Sequence, residues 1–401
     1  MDTQASSDSS LWEIFLVFLR LGCTSFGGPI AHLGYFRAEF VTHRRWLTEQ
    51  SYADVVALAQ FLPGPTSSQV GLAVGLSRGG VLGCFAAWVG FTLPSALAMM
   101  LFGLSITIWG NAISSTALHA LKIVAVAVVA QAVWGMAKTL CIGTARKAIM
   151  AIAACSLLIY PNPWGQVLVI ILSAIAGMVL FRADARRSHD RLQVPVSKLT
   201  GGVLLGLFLM LLIALPIAAH SSSNESLAVF SSFYQAGSLV FGGGHVILPL
   251  LQTAVVPTGW VENDIFLAGY GAAQALPGPL FTFAAFLGTV MSVVPNGMTG
   301  AGMCLFAVFV PSFLLILGTL PFWEEIRRNR KAQSALGGVN AGVVGLLLAA
   351  LYDPVWTNAI YTPIDLGWTL LAFFCLHSLK APPWLVVLMA TLIGLVSGML
   401  F

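Results

Sequence analysis

The sequence predicts an all-α integral membrane protein, a polytopic helical bundle of two inverted-topology repeats whose Gly/Pro-broken helices are re-entrant. Three observations lead there. The chain of 401 residues is 58% hydrophobic and 8% charged, against about 25% charged in soluble domains. One set of motifs is written twice: Phe26-Gly27-Gly28-Pro29, Trp46 and Gln60-Phe61-Leu62-Pro63-Gly64-Pro65 return as Phe241-Gly242-Gly243-Gly244, Trp260 and Gln274-Ala275-Leu276-Pro277-Gly278-Pro279. The loops that follow matched segments carry opposite charge bias.

Residues 1–10 are polar and hold no Lys or Arg. That is unlike the basic start of a cleaved signal peptide, so insertion through internal segments is expected. The apolar segment 11–26 ends at the Gly-Gly-Pro break. A loop with Arg37, Arg44 and Arg45 follows, then a segment that stops at Pro63-Gly64-Pro65, because proline lacks the amide hydrogen a helix needs. Further spans are expected at 81–109, 121–137, 148–160 and 164–181; a helix needs roughly 20 residues to cross a bilayer. These make a first repeat, 11–181. Residues 182–225 supply a basic cytoplasmic linker and one extra span. The second repeat, 226–401, restates the first: Pro94-Ser95 returns as Pro311-Ser312, and Pro163-Trp164 as Pro383-Trp384.

Lys and Arg collect on cytoplasmic loops. Arg37, Arg44 and Arg45 have no basic counterpart in 253–263, whereas the neutral stretch 110–116 is matched by Arg327, Arg328, Arg330 and Lys331. Lys138, Arg146 and Lys147 face a loop, 352–365, without a basic residue, and neutral 161–163 faces Lys380. The extra span would turn the second repeat upside down. The sidedness closes if each Pro-Gly-Pro segment enters and leaves on one side. Such non-helical backbone is tolerated at membrane depth only where protein or a wet cavity covers it.

Inverted repeats with breaks at matching positions are the arrangement of secondary transporters. Metalloprotease, P-loop and nucleophile-elbow motifs are absent. The six cysteines, Cys23, Cys84, Cys141, Cys155, Cys304 and Cys375, lie in or beside apolar segments and read as small core residues. The competing class, a membrane-embedded enzyme acting on a lipid or isoprenoid, finds no cluster of His, Asp and Glu to support it. No cofactor, metal or nucleic acid is implied.

Phe26-Gly27-Gly28-Pro29, His32, Phe40-Val41, Arg44-Arg45-Trp46-Leu47, Gln60, Leu62-Pro63-Gly64-Pro65 and the series Gly71, Gly75, Gly79-Gly80 resemble the chromate ion transporter family. The resemblance covers nearly the whole chain and the long, two-domain form. It implies export of the chromate oxyanion from the cytoplasm, and chromate resistance, in a bacterial inner membrane. Sulfate or a small organic anion is the alternative cargo. The bilayer is the expected partner, and a homodimer is compatible with these features without being required by them. The second half departs from the motif: Gly244 replaces Pro29, Ile247 stands where His32 is, and no Arg-Arg precedes Trp260.

Chromate is a compact tetrahedral dianion, and its site needs amide donors, hydroxyls or cations. Glycine breaks expose backbone N–H groups, and half-helix N-termini carry partial positive charge. The candidate path comprises Arg20, Thr24, Ser25, Gly27, Gly28, His32, Gln60, Pro63, Gly64, Pro65, Thr66, Ser67 and Lys122 of the first half, with Gly243, His245, Gln274 and Gly278 of the second. An Arg near a membrane helix centre costs about 2.5–3.5 kcal/mol on insertion scales. Arg20 is therefore read as functional or as paired with Glu13, one heptad away; Lys122 is read as functional or as a helix-end lysine. His32 and His245 are proton carriers or hydrogen-bonded structural residues. Arg37, Arg44 and Arg45 form a cytoplasmic mouth or an ordinary basic loop. The hydroxyl-rich turn Thr66–Gln69 is matched by Leu280, Phe281, Thr282 and Phe283, so the first half is expected to carry more of the anion site.

Overall fold

The computed structural model describes residues 10–109, 115–160, 163–181 and 196–400. Most of the predicted basic linker, and the loops 110–114 and 161–162, lie outside the described residues. Within them every regular element is helical. Five stretches are long and apolar enough to cross a membrane: Thr66–Trp109, Thr116–Leu140, Lys198–Ser221, Gly297–Arg328 and Arg330–Trp356.

Helix α1, Leu11–Thr24, starts where Ser10 Oγ accepts the Glu13 N–H at 3.1 Å. It stops at Ser25, whose backbone is extended. Helix α2, Gly28–Arg37, has Pro29 in its first turn and widens into a π-helical turn over Ala38–His43. Thr48 Oγ1 caps α3, Glu49–Phe61, which gives way to extended Leu62 and the Pro-Gly-Pro break.

Helix α4, Thr66–Trp109, has 44 residues. Straight, it would run about 66 Å, over twice the ~30 Å hydrocarbon core. It is not straight: Gly79 and Gly80 leave helical conformation, and Gly80, at φ 60°, sends the chain back. The two arms press together at Gly75 and Gly83, where a Cβ on either would strike the other's carbonyl. Small residues permit such close approach between membrane helices. Helices α5 (Ser115–Leu140), α6 (Thr144–Ile159) and α7 (Pro163–Leu180) complete the first half.

Helix α8, Lys198–Ser221, is the predicted extra span. Only 6% of its most apolar window is buried, so it lies against the bundle's edge with an apolar surface turned outward. The second half follows as α9 (Glu225–Leu239), α10 (Ile247–Val255), α11 (Asn263–Ala273), α12 (Phe283–Val290), α13 (Gly297–Thr319), short α14 (Trp323–Arg328), α15 (Arg330–Ala350), α16 (Pro363–His377) and α17 (Pro383–Leu400). Pro277-Gly278-Pro279 sits between α11 and α12, as its counterpart sits between α3 and α4.

Within each half, α1 lies along α4 and α9 along α13. A Cβ on Gly22 would come within 2.7 Å of the Phe91 carbonyl, and one on Gly90 within 2.6 Å of that of Phe15. The central helices cross over: α5 packs on α11, α16 and α17 of the second half, while α15 packs on α6 and α7 of the first. Neither half holds its own long central helix.

The expected Glu13–Arg20 pair is not formed. Seven residues along a helix is about 10.5 Å of rise, and Arg20 is exposed. Glu13 instead binds Arg44 at 2.7 Å, and Arg44 also binds Glu39 at 2.8 Å.

Candidate functional site

The two Pro-Gly-Pro breaks meet the two glycine breaks crosswise. Gly64 N–H donates to the Val240 carbonyl at 2.7 Å, and Gly278 N–H donates to the Ser25 carbonyl at 2.9 Å. Val240 and Ser25 each precede a Phe-Gly-Gly, so each half's break is closed by a carbonyl of the other. The bonds are forced by local chemistry: both neighbours of each glycine are prolines, leaving this N–H as the break's one donor. A Cβ on Gly64 (φ +124°) would fall 2.8 Å from Ser312 Oγ, and one on Gly278 (φ +90°) 2.9 Å from Ser95 Oγ. Those serines follow the matched Pro94 and Pro311 inside α4 and α13.

Several polar atoms around this crossing are buried with no hydrogen-bond partner among the described residues. They include Ser25 Oγ, Ser68 Oγ, Gln69 Oε1, Thr92 Oγ1 and Ser312 Oγ. An unsatisfied buried polar group costs ≈ 1–3 kcal/mol, so this core is polar against the preference of its surroundings. Gln69 Nε2 donates to the Pro63 carbonyl at 2.6 Å, tying the first turn of α4 to the break.

Beside the crossing lies a cavity of about 1880 Å³, well above the roughly 300–1,000 Å³ of small-molecule pockets. From the predicted set it is lined by Gly27, Gly28, Gln60, Thr66, Gly243, His245, Gln274 and Gly278. Pro63, Gly64, Pro65, Ser25 and Ser67 stand behind this lining. His32 is buried, with Nδ1 3.2 Å from Ser67 Oγ and its ring edge-on to Phe91. His245 Nδ1 lies 2.9 Å from the Tyr270 hydroxyl.

Other predicted residues lie elsewhere. Thr24 is exposed on α1 and donates to the Arg20 carbonyl. Lys122 is buried and donates to Asp264 at 3.0 Å, with its ammonium 5.5 Å from the Tyr361 ring centre. It joins α5 to the start of α11, away from the cavity. Arg37 pairs with Glu49 at 2.6 Å, Arg44 with Glu13 and Glu39, and Arg45 takes a left-handed backbone at φ 53°. Burial pushes the Glu39 carboxyl up, but the hydrogen bond and charge of Arg44, aided by His43 and Arg20, hold it below its ordinary value.

Residues not on the predicted path complete the cavity. Lys138, Arg146, Lys380 and Arg327 bring four cations to it, and Asp54 brings a carboxylate. Arg327 pairs with Asp54 at 2.8 Å and with Glu324 at 2.7 Å. Asn340 also lines it, its Oδ1 buried and without a partner among the described residues. Lys138 and Arg146 were visible in the sequence only as charges marking a cytoplasmic loop. Their second role comes from the crossing of α5 and α15, which no local pattern reveals.

Broken helices from the two matched halves meet over one cation-rich cavity, an arrangement in keeping with a membrane transporter. The chain belongs to the chromate transporter family, whose model matches residues 12–178 and again 227–395. It is similar to the chromate transport protein of Pseudomonas aeruginosa, 28% identical over 391 residues, covering 95% of this chain and 91% of that one. It is also 28% identical over 351 residues to an uncharacterized transporter of Methanocaldococcus jannaschii, covering 86% and 84%. An uncharacterized transporter of Bacillus subtilis is 30% identical over 166 residues, which is 39% of this chain but 80% of that relative. No solved structure matches the chain.

Proposed function

We propose that the protein carries chromate out of the cytoplasm across a bacterial inner membrane, giving chromate resistance. The single observation that carries this reading is the cavity: both glycine breaks and residues beside both Pro-Gly-Pro breaks line it, and its cations outnumber its carboxylates. The relatives named chromate transport proteins supply the cargo. On this reading the two halves, 11–181 and 226–401, are inverted, their Pro-Gly-Pro segments are re-entrant, and the cavity faces the cytoplasm. Lys138, Arg146 and Lys380 belong to loops whose basic bias favours that side. The wide, wet vestibule would gather a dianion, and the polar crossing behind Gly64 and Gly278 would pass it on. Gly27, Gly28, Gln60, Thr66, Gly243, His245, Gln274 and Gly278 are the path residues this arrangement favours. Arg20 and Lys122 take supporting places outside it.

Inside-out vesicles holding the protein should accumulate chromate, and excess sulfate should compete weakly. Uptake that sulfate matches on equal terms would make the protein a general tetrahedral-oxyanion carrier. Absence of flux for both anions would refute the proposal.

Sidedness gives an independent check. Single cysteines at Arg44 and Thr258 occupy matched loops. In intact cells an impermeant maleimide should label the Thr258 cysteine and spare the Arg44 cysteine. Equal labelling of both ends the inverted topology.

A further inference from the structure

The reading of the cavity as the chromate path leaves open which group holds the anion. We propose that Arg146 coordinates the oxyanion directly, at a site shared with Asn340 of the other half, with Lys138 and Lys380 supplying the remaining positive charge.

Arg146 is half-buried in the cavity wall, its guanidinium 5.0 Å from the ring centre of Phe181. No carboxylate pairs with it among the described residues, whereas Arg37, Arg44 and Arg327 all have carboxylate partners. Lys138 stacks on Trp134 at 4.9 Å, and neither it nor Lys380 has a carboxylate partner among the described residues. The planar fork of arginine matches two oxygens of a tetrahedral anion and holds them with charge-assisted hydrogen bonds.

The place of Arg146 in its helix is the second line of argument. It is the third residue of α6, in the first turn, where the helix dipole favours an acid and disfavours a cation. The corresponding helix of the second half, α16, obeys that rule. Its third residue is Asp365, which completes a capping box with Thr362 and binds His119 at 2.9 Å. One half thus places a carboxylate where helix stability asks for it, and the other places a guanidinium with no carboxylate partner among the described residues where stability argues against it. A bound dianion would answer both the guanidinium and the uncapped α6 terminus, whose Gly143 offers no side-chain cap.

The third line is the facing surface of α15. A Cβ on Gly337 would lie 3.4 Å from Arg146 Nη2, so the guanidinium rests over that glycine. Asn340 follows three residues later on the same helix face. Its Oδ1 would lie 3.7 Å from a Cβ on Gly242, placing the amide between the guanidinium and the second glycine break. Arginine, amide and glycine backbone therefore converge from both halves.

The test uses the full-length protein in inside-out vesicles. Arg146→Gln should raise KM for chromate at least tenfold while changing the maximal rate less than threefold, and Arg146→Lys should restore part of the affinity. Arg328→Gln, on an exposed arginine outside the cavity, should leave both constants unchanged. A second readout does not depend on flux: chromate should protect Arg146 from phenylglyoxal, read by mass spectrometry of its peptide, and leave Arg328 labelling unchanged. If wild-type vesicles move chromate but Arg146→Gln keeps its KM and Arg146 is not protected, the assignment is overturned and the cavity reading survives. If wild-type vesicles move no chromate, the reading beneath it fails as well.

Discussion

Gly64→Leu is expected to abolish chromate flux while the protein still inserts and accumulates in the membrane. Two costs fall on the same atom. The backbone of Gly64 sits at φ +124°, a region that costs a side-chain-bearing residue about 1–3 kcal/mol. A Cβ there would also come within 2.5 Å of Gln69 Nε2 and 2.8 Å of Ser312 Oγ. Gln69 and Ser312 belong to different halves, so the added side chain would wedge the crossing apart and strain the Gly64–Val240 bond. The strain and the two close contacts fall on the crossing and not on the apolar spans, so flux should be lost while insertion is kept. Gly278→Leu should act alike through Ser95, and Gly64→Ala should fall between. The measurements are initial chromate uptake by inside-out vesicles and the amount of protein extracted as a monodisperse species. Wild-type flux through correctly inserted Gly64→Leu would show that the break serves packing alone.

The second large effect concerns the membrane potential. One charge moved across 100 mV is worth about 2.3 kcal/mol, so a dianion driven outward by an inside-negative potential gains roughly 4.6 kcal/mol. That corresponds to a concentration ratio of about 10³. The cavity is suited to carrying the anion's charge uncompensated. Asp54, its carboxylate among the described lining residues, is held by Arg327, and two imidazoles, His245 and His377, also line the cavity. With the pH gradient clamped and a potassium–valinomycin potential imposed, chromate uptake by inside-out vesicles should rise steeply when the lumen is made positive, and fall when the potential is reversed. Flux indifferent to the sign of the potential would establish electroneutral exchange and remove this account.

Much of the architecture was legible because its signals are local. Apolar runs announce spans, and Gly-Gly and Pro-Gly-Pro announce breaks whatever surrounds them. Serine, threonine and asparagine at positions 10, 48 and 224 cap the helices that follow. The division inside α4 lies beside Arg78-Gly79-Gly80, directly before the span expected at 81–109, because a charge and two glycines interrupt the apolar pattern there. The site was legible where it is made of breaks and obscure where it is made of side chains. Arg20 and Lys122 stood out by their cost in hydrocarbon. Yet Lys122 finds its carboxylate on Asp264 of the other half, and Arg20 turns outward at the edge of α1. Arg146 looked ordinary in a basic loop; what distinguishes it is the glycine of α15 beneath it, far away in the chain.

The crosswise closure of the two breaks bears on how the protein is made. The first half leaves the ribosome before the Val240 carbonyl and α15 exist. Until they arrive, Gly64 holds its amide toward the membrane interior with no acceptor, and hydrocarbon offers none. α6 and α7 likewise wait for the helix they clasp. The nascent first half must therefore stay loosely assembled, or sheltered by the insertion machinery, until the second half follows it into the membrane. A stop codon after α8 would leave an unfinished surface rather than half a transporter, and quality-control proteolysis is the fate that surface invites.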